Sequence, residues 1–67
     1  MIDLGEFVSD YLAIDGVYAT PANRAELAKE IAIAYCEANP DLAGLSEEAF
    51  MDTAYNSIAP QVAYYLP

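Results

Sequence analysis

Apolar residues recur three and four positions apart along nearly the whole chain, and this spacing constrains the fold more than any other feature of the sequence. It places side chains on one face of an α-helix. The first such run comprises Leu4, Phe7, Val8, Tyr11 and Leu12. Residues 17–19 could be extended, but one strand without a partner does not make a sheet. The sequence therefore predicts an all-α protein.

Capping residues and prolines divide the chain into helices over residues 3–14, 21–38 and 47–58, with a short fourth helix over 60–66. Asp3 is suited to cap the first helix and Gly16 to end it in a left-handed conformation. Thr20 followed by Pro21 is typical of a helix start. Asn39-Pro40 ends the second helix, because a residue before proline avoids the α region.

The later boundaries depend on Ser46 and Pro60. Ser46 is a natural cap for the third helix, and Pro60 either starts the fourth helix or kinks the third. Residues 41–45 are expected to form a loop whose two leucines tuck inward. The C-terminal residues are too apolar for a loose tail and are expected to pack back as a short helix. These residues are Val62, Ala63, Tyr64, Tyr65 and Leu66.

The apolar faces of these helices predict one small three-helix bundle with a short C-terminal fourth helix, in a single domain. The main stripe of the second helix comprises Leu27, Ile31, Ala34, Tyr35 and Ala38. Ala25, Ala28 and Ala32 lie beside it and would let another helix approach closely. The buried face of the third helix comprises Phe50, Met51, Ala54 and Ile58.

Composition excludes several classes of function. Of 67 residues, 57% are hydrophobic, which is too apolar for intrinsic disorder. Eleven acidic and two basic residues give a net charge of −9, which opposes binding to nucleic acid and to anionic membranes. The longest apolar run, Ile31–Cys36, is far shorter than the roughly 20 residues of a membrane-spanning helix. The N-terminal segment lacks the basic region of a signal peptide.

The residue types that most enzymes and metal sites require are scarce. There is no histidine and only one cysteine, so imidazole bases and Cys- or His-rich metal sites are excluded. A paired-carboxylate hydrolase remains conceivable, but so short a chain leaves little room for a pocket. We expect a protein that is not an enzyme and has no catalytic residue, metal or cofactor. Cys36 is expected to be a small apolar filler rather than a reactive thiol.

Acidic side chains form a one-signed ridge on each predicted helix. The three ridges comprise Asp3, Glu6 and Asp10; Glu26, Glu30 and Glu37, with Ile33 among them; and Glu48 and Asp52, followed by Tyr55. Carboxylates four residues apart on a helix repel each other, as at Glu26 and Glu30. The ridges are either a solvated face or a binding surface that imitates the phosphates of nucleic acid. In the second case Ile33 and Tyr55 would be apolar anchors among the charges.

In size, charge, lack of catalytic residues and predicted helical fold, the chain resembles the small acidic inhibitors made by phages and mobile elements. Anti-CRISPR proteins and DNA-mimicking anti-restriction proteins are examples. That class shares no diagnostic motif, so no functional residue is carried over. The resemblance implies an inhibitor in the cytoplasm of a bacterial host cell. Its partner would be a basic nucleic-acid-binding protein or ribonucleoprotein complex.

A second hypothesis is a regulatory or structural interaction module, or a homo-oligomer, that uses an apolar helix face. Tyr64 and Tyr65 and the alanines of the second helix motivate it. The two hypotheses differ in salt dependence, because binding through charge weakens with salt and binding through an apolar face does not. The charge of −9 favours a monomer, since two copies repel each other.

Overall fold

The computed structural model describes residues 2–67, and every secondary-structure element in this range is helical. The elements are α1 (Leu4–Asp15), α2 (Arg24–Ala38), the single turn α3 (Pro40–Ala43), α4 (Glu47–Asp52), a π-helical segment (Thr53–Ile58) and α5 (Ala59–Tyr65). They form a bundle of 31 × 21 × 17 Å. The predicted small all-α bundle is confirmed.

Helix α1 begins and ends at the residues that the sequence indicates. The Asp3 carboxylate accepts a hydrogen bond from the Glu6 main-chain N–H at 3.0 Å. At the other end Gly16 has a φ of 64°, a left-handed conformation that costs glycine little. The Val17 N–H then donates to the Leu12 carbonyl at 3.2 Å, which closes the helix as in a Schellman motif.

The regular part of α2 begins at Arg24, three residues later than predicted. Thr20 nevertheless caps the preceding turn. Its hydroxyl accepts from the Asn23 N–H at 3.3 Å, and the Asn23 side chain accepts from the Thr20 N–H at 2.7 Å. This reciprocal pair is a capping box in which Asn23 replaces the usual Glu or Gln. The Asn23 backbone, at φ −108° and ψ −3°, departs from α geometry and delays the regular helix.

The segment after α2 contains a helical turn where the sequence predicted a loop. The Asn39 side chain accepts from the Asp41 N–H at 3.1 Å and so caps α3. Leu42, inside this turn, is half-buried against the core. Leu45 follows the turn and remains 39% exposed, so the prediction that both leucines tuck inward is wrong for Leu45.

Residues 47–65 are helical throughout, and α5 begins at Ala59 with Pro60 in its first turn, which agrees with the predicted start of a short fourth helix. The Ala59 N–H donates to the Ala54 carbonyl, five residues earlier, as in a π-helix. Pro60 has no N–H to donate and clashes with the carbonyl four residues before it in a regular α-helix. The wider π turn lies directly before Pro60. The Gln61 side chain donates to the Ser57 carbonyl at 2.9 Å in the same region.

The core forms where α5 packs against both α2 and α1. Its fully buried members include Val8, Ile31, Ala32, Cys36, Ala54 and Val62. Leu27, Ile31 and Tyr35 of the predicted α2 stripe are buried, but the buried face is rotated toward Ala28 and Ala32, since Ala38 is exposed. The small side chains of Ala28 and Ala32 are buried where another helix can approach closely, as predicted, whereas Ala25, the third alanine of that prediction, is exposed.

The C-terminal residues pack back only in part. Val62 and Leu66 are buried, as predicted, whereas Tyr64 is 84% and Tyr65 49% exposed. In a helix, neighbouring residues point in different directions, so one face of α5 must remain outside the core. The Arg24 guanidinium donates to the main-chain carbonyls of Ala63, Leu66 and Pro67. These bonds attach the end of the chain to the start of α2.

Candidate interaction surface

The exposed face of α2 carries three carboxylates, and we call Glu26, Glu30 and Glu37 the acidic stripe. All three side chains are exposed. Residues four apart on a helix have Cβ atoms about 5–6 Å apart, so Glu26 and Glu30 are neighbours. The stripe lies on a rigid, 15-residue helix whose opposite face is part of the core. The helix therefore fixes the order and spacing of the three residues along one face.

Glu30 also links the acidic stripe to α1. The Tyr11 hydroxyl donates a hydrogen bond to the Glu30 carboxylate at 3.2 Å. Burial raises the pKa of the Tyr11 phenol, and the nearby negative charge of Glu30 raises it further. The tyrosine thus stays neutral and remains a donor at physiological pH. Glu30 therefore makes a hydrogen bond to another helix, whereas Glu26 and Glu37 are exposed on the surface of α2.

The two basic residues, Arg24 and Lys29, contact main-chain oxygens and an aromatic ring. Arg24 uses its guanidinium on the carbonyls at the C-terminal end of α5, where the helix dipole is negative. The Lys29 ammonium lies 5.5 Å from the centre of the Tyr55 ring, within the range of a cation–π interaction. The acidic stripe therefore keeps its carboxylates exposed while the two cations make contacts elsewhere.

The two predicted apolar anchors occupy different environments. Ile33 is half-buried and packs against the core, so it does not project freely from the acidic stripe. Tyr55 is 39% exposed and lies on the π-helical segment under Lys29. Tyr55 is therefore partly accessible to a partner, whereas Ile33 contributes chiefly to packing.

The remaining predicted acidic residues are all exposed on the surfaces of α1 and α4. These are Asp3, Glu6, Asp10, Glu48 and Asp52. Asp3 uses one carboxylate oxygen to cap α1, and Asp52 accepts a hydrogen bond from the Asn56 side chain at 2.7 Å. Two of these acids therefore have local structural roles. The three acids of the α2 stripe, by contrast, all lie within one helix.

A second surface feature was not predicted from the sequence. A groove of about 610 Å³, which we call the end groove, opens where the start of α1, the end of α2, α3 and the π-helical segment meet. Asp41, Thr53, Ser57 and Gln61 contribute polar side chains to it. No sequence pattern marks these residues, because they come from separate elements and meet only in the folded protein.

Three further observations concern the reactivity of the cysteine, metal binding and membrane-spanning helices. Cys36 is fully buried, and burial raises the pKa of its thiol, as expected for an apolar filler. Within residues 2–67, no three Cys, Asp or Glu side chains are grouped closely enough to hold a metal ion. In the same range, no helix combines the length and apolar character needed to cross a membrane.

Comparison with known proteins adds no relationship: no family model, curated protein or solved structure matches this chain.

Proposed function

We propose that this protein is a non-enzymatic acidic binding protein whose acidic stripe contacts a basic, nucleic-acid-binding surface of another protein or ribonucleoprotein. One observation carries the proposal: three exposed carboxylates form a row on α2 while Arg24 and Lys29 are engaged with carbonyls and an aromatic ring. A chain that only needed solubility would gain stability by mixing charges at such positions.

The spacing of the acidic stripe suits this role. DNA presents a phosphate about every 3.4 Å along each strand, and a basic groove that binds it is adapted to rows of negative charge. Glu26 and Glu30 have Cβ atoms about 5–6 Å apart, which is a similar scale, and Glu37 lies about two turns farther along the same face of α2. Encounter with such a groove would be steered by charge, and so would be fast and sensitive to salt. By occupying the groove, the protein would act as an inhibitor of nucleic-acid binding, and a bacterial effector complex in the cytoplasm is the partner class that we propose.

The test uses the immobilised protein as bait for bacterial lysate at low and moderate salt, with double-stranded DNA as competitor. We compare wild type with the Glu26→Lys/Glu37→Lys variant, which spares Glu30 and its bond to Tyr11. The matched control is Asp15→Lys/Glu47→Lys, which makes the same change of +4 in charge away from the stripe. Wild type and control should retain the same basic proteins, released by DNA, and the stripe variant should lose them. Equal retention by the stripe variant would refute the proposal.

A second candidate, a homo-oligomer, is motivated by three large apolar side chains that remain more than four-fifths exposed. They are Ile14, Tyr18 and Tyr64. Sedimentation of wild type and Tyr64→Ser over a range of concentrations tests it. A concentration-dependent mass that Tyr64→Ser abolishes would favour the oligomer, whereas a monomer at all concentrations would exclude it.

A further inference from the structure

The end groove is lined by both apolar and polar residues. Leu4, Leu42 and Ile58 are among the apolar ones, and Thr53 and Ser57 are hydroxyl-bearing residues of the lining. Its volume of about 610 Å³ lies within the roughly 300–1,000 Å³ range of ligand-binding clefts. Thr53, Ser57 and Ile58 all belong to the π-helical segment, and π turns frequently occur at functional sites.

Both charged side chains of the end groove are acidic. They are Asp3, from the start of α1, and Asp41, from α3. Each lies in a turn fixed by a local hydrogen bond: the Asp3 carboxylate accepts from the Glu6 N–H, and the Asp41 N–H donates to Asn39. Asn39 is itself only 5% exposed, so the turn that carries Asp41 is anchored in the protein. The lining of the groove therefore includes two carboxylates, carried by turns of fixed backbone, together with apolar residues.

We propose that the end groove binds one lysine or arginine side chain of a protein partner. The ammonium or guanidinium group lies between Asp3 and Asp41, and its aliphatic stem lies on Leu4, Leu42 and Ile58. Long basic side chains commonly bury their stems in this way while the charged end meets a carboxylate. The proposal rests on the proposed function in one respect, that the partner is a basic protein. The end groove would be a second contact with that partner, beside the acidic stripe, because it lies at the end of α2 that carries Glu37.

The direct test is an NMR titration of the ¹⁵N-labelled protein with Nα-acetyl-arginine methylamide. Nα-acetyl-citrulline methylamide is the matched probe, since it has nearly the same shape without the charge. We expect saturable shifts in the millimolar range at the amides of Leu42, Ser57 and the Gln61 side chain, with arginine only. Equal shifts with citrulline, or shifts spread over all acidic surfaces, would overturn the proposal.

Two variants localise the effect. Asp3→Asn/Asp41→Asn removes both charges, and asparagine at position 3 retains the ability to cap α1. This variant should bind the arginine probe about tenfold more weakly, as expected for loss of a charge-assisted hydrogen bond. The control Asp15→Asn/Glu47→Gln removes the same charge elsewhere and should bind as wild type does. An equal loss in both variants would mean that net charge alone attracts the probe, and would overturn the proposal.

The outcome is separable from that of the proposed function. The Glu26→Lys/Glu37→Lys variant should still bind the arginine probe in the end groove if the groove is a site of its own. Retention of the probe by this variant, together with loss of captured proteins, supports both proposals. Binding of the probe without any stripe-dependent capture leaves the groove supported and refutes the function, whereas capture without probe binding refutes the groove alone.

Discussion

Ala54 and Val62, eight residues apart in the C-terminal helical segment, are both completely buried in the same core. In an unbroken α-helix, at about 100° per residue, Val62 would be rotated by about 80° from Ala54, and Leu66 by about 120°. The π turn contains one more residue than an α-helical turn. The helix that follows is therefore rotated back about its axis by roughly 100°, the angle of one residue. Val62 and Leu66 therefore lie on the same buried face of this segment as Ala54.

Shortening the π turn should therefore preserve the fold. Deleting the exposed Asn56, combined with Pro60→Ala to remove the proline clash, converts the turn to α geometry and keeps Val62 in phase with Ala54. The matched control deletes Asp10, also exposed, from the regular helix α1. Circular dichroism and thermal unfolding should show a folded first variant and an unfolded control. Two equally disrupted proteins would contradict this role of the π turn.

Arg24 should contribute more to stability than Lys29. Its guanidinium donates to three main-chain carbonyls at the end of α5, and hydrogen bonds of charged groups contribute about 1.5–3 kcal/mol. Arg24→Gln should lower the free energy of unfolding by about 1–3 kcal/mol. Lys29→Gln makes the same change in net charge but loses a cation–π contact worth about 0.5–1 kcal/mol. Urea unfolding measures both; a larger loss for Lys29→Gln would contradict the assignment.

The Cys36 thiol should be unreactive in the folded protein. It is fully buried, and burial raises its pKa, so little thiolate forms near pH 8 and reagents cannot reach it. Reaction with 5,5′-dithiobis(2-nitrobenzoate) should be slow in buffer and fast in denaturing urea. Because the folded thiol keeps its proton longer than the unfolded one, stability should also fall as pH rises above the ordinary thiol pKa. Immediate reaction in buffer would contradict this burial.

Tyr11 should lose its proton at higher pH than an ordinary tyrosine. Burial is the larger cause of its raised pKa, and Glu30 adds to it. NMR titration of the ring signals should show Glu30→Gln lowering this pKa without restoring the ordinary value, whereas Glu26→Gln leaves it unchanged. Since the unfolded chain loses the proton first, the stability that Tyr11 contributes is complete below about pH 10 and is lost above it. A Tyr11 pKa insensitive to Glu30→Gln would contradict the contact.

Local signals in the sequence determined the helical class and several helix ends. Asp3 and Gly16 delimit α1 because a capping side chain and a left-handed glycine act within one turn of chain. The composition likewise determined the charge, and helical spacing determined that Glu26, Glu30 and Glu37 share one face of α2. These features depend on neighbours along the chain, so one sequence suffices to predict them.

Only the tertiary structure decided the features that depend on distant neighbours. Pro60 alone did not distinguish a new helix from a kink, and the π turn before it was not predicted; that turn accompanies the burial of Val62 and Leu66 in the core. Ile33 lies among acids in sequence yet packs against the core. The end groove brings Asp3 and Asp41 together from segments 38 residues apart. Helical periodicity gives directions around one helix, whereas burial depends on which helices pack against it.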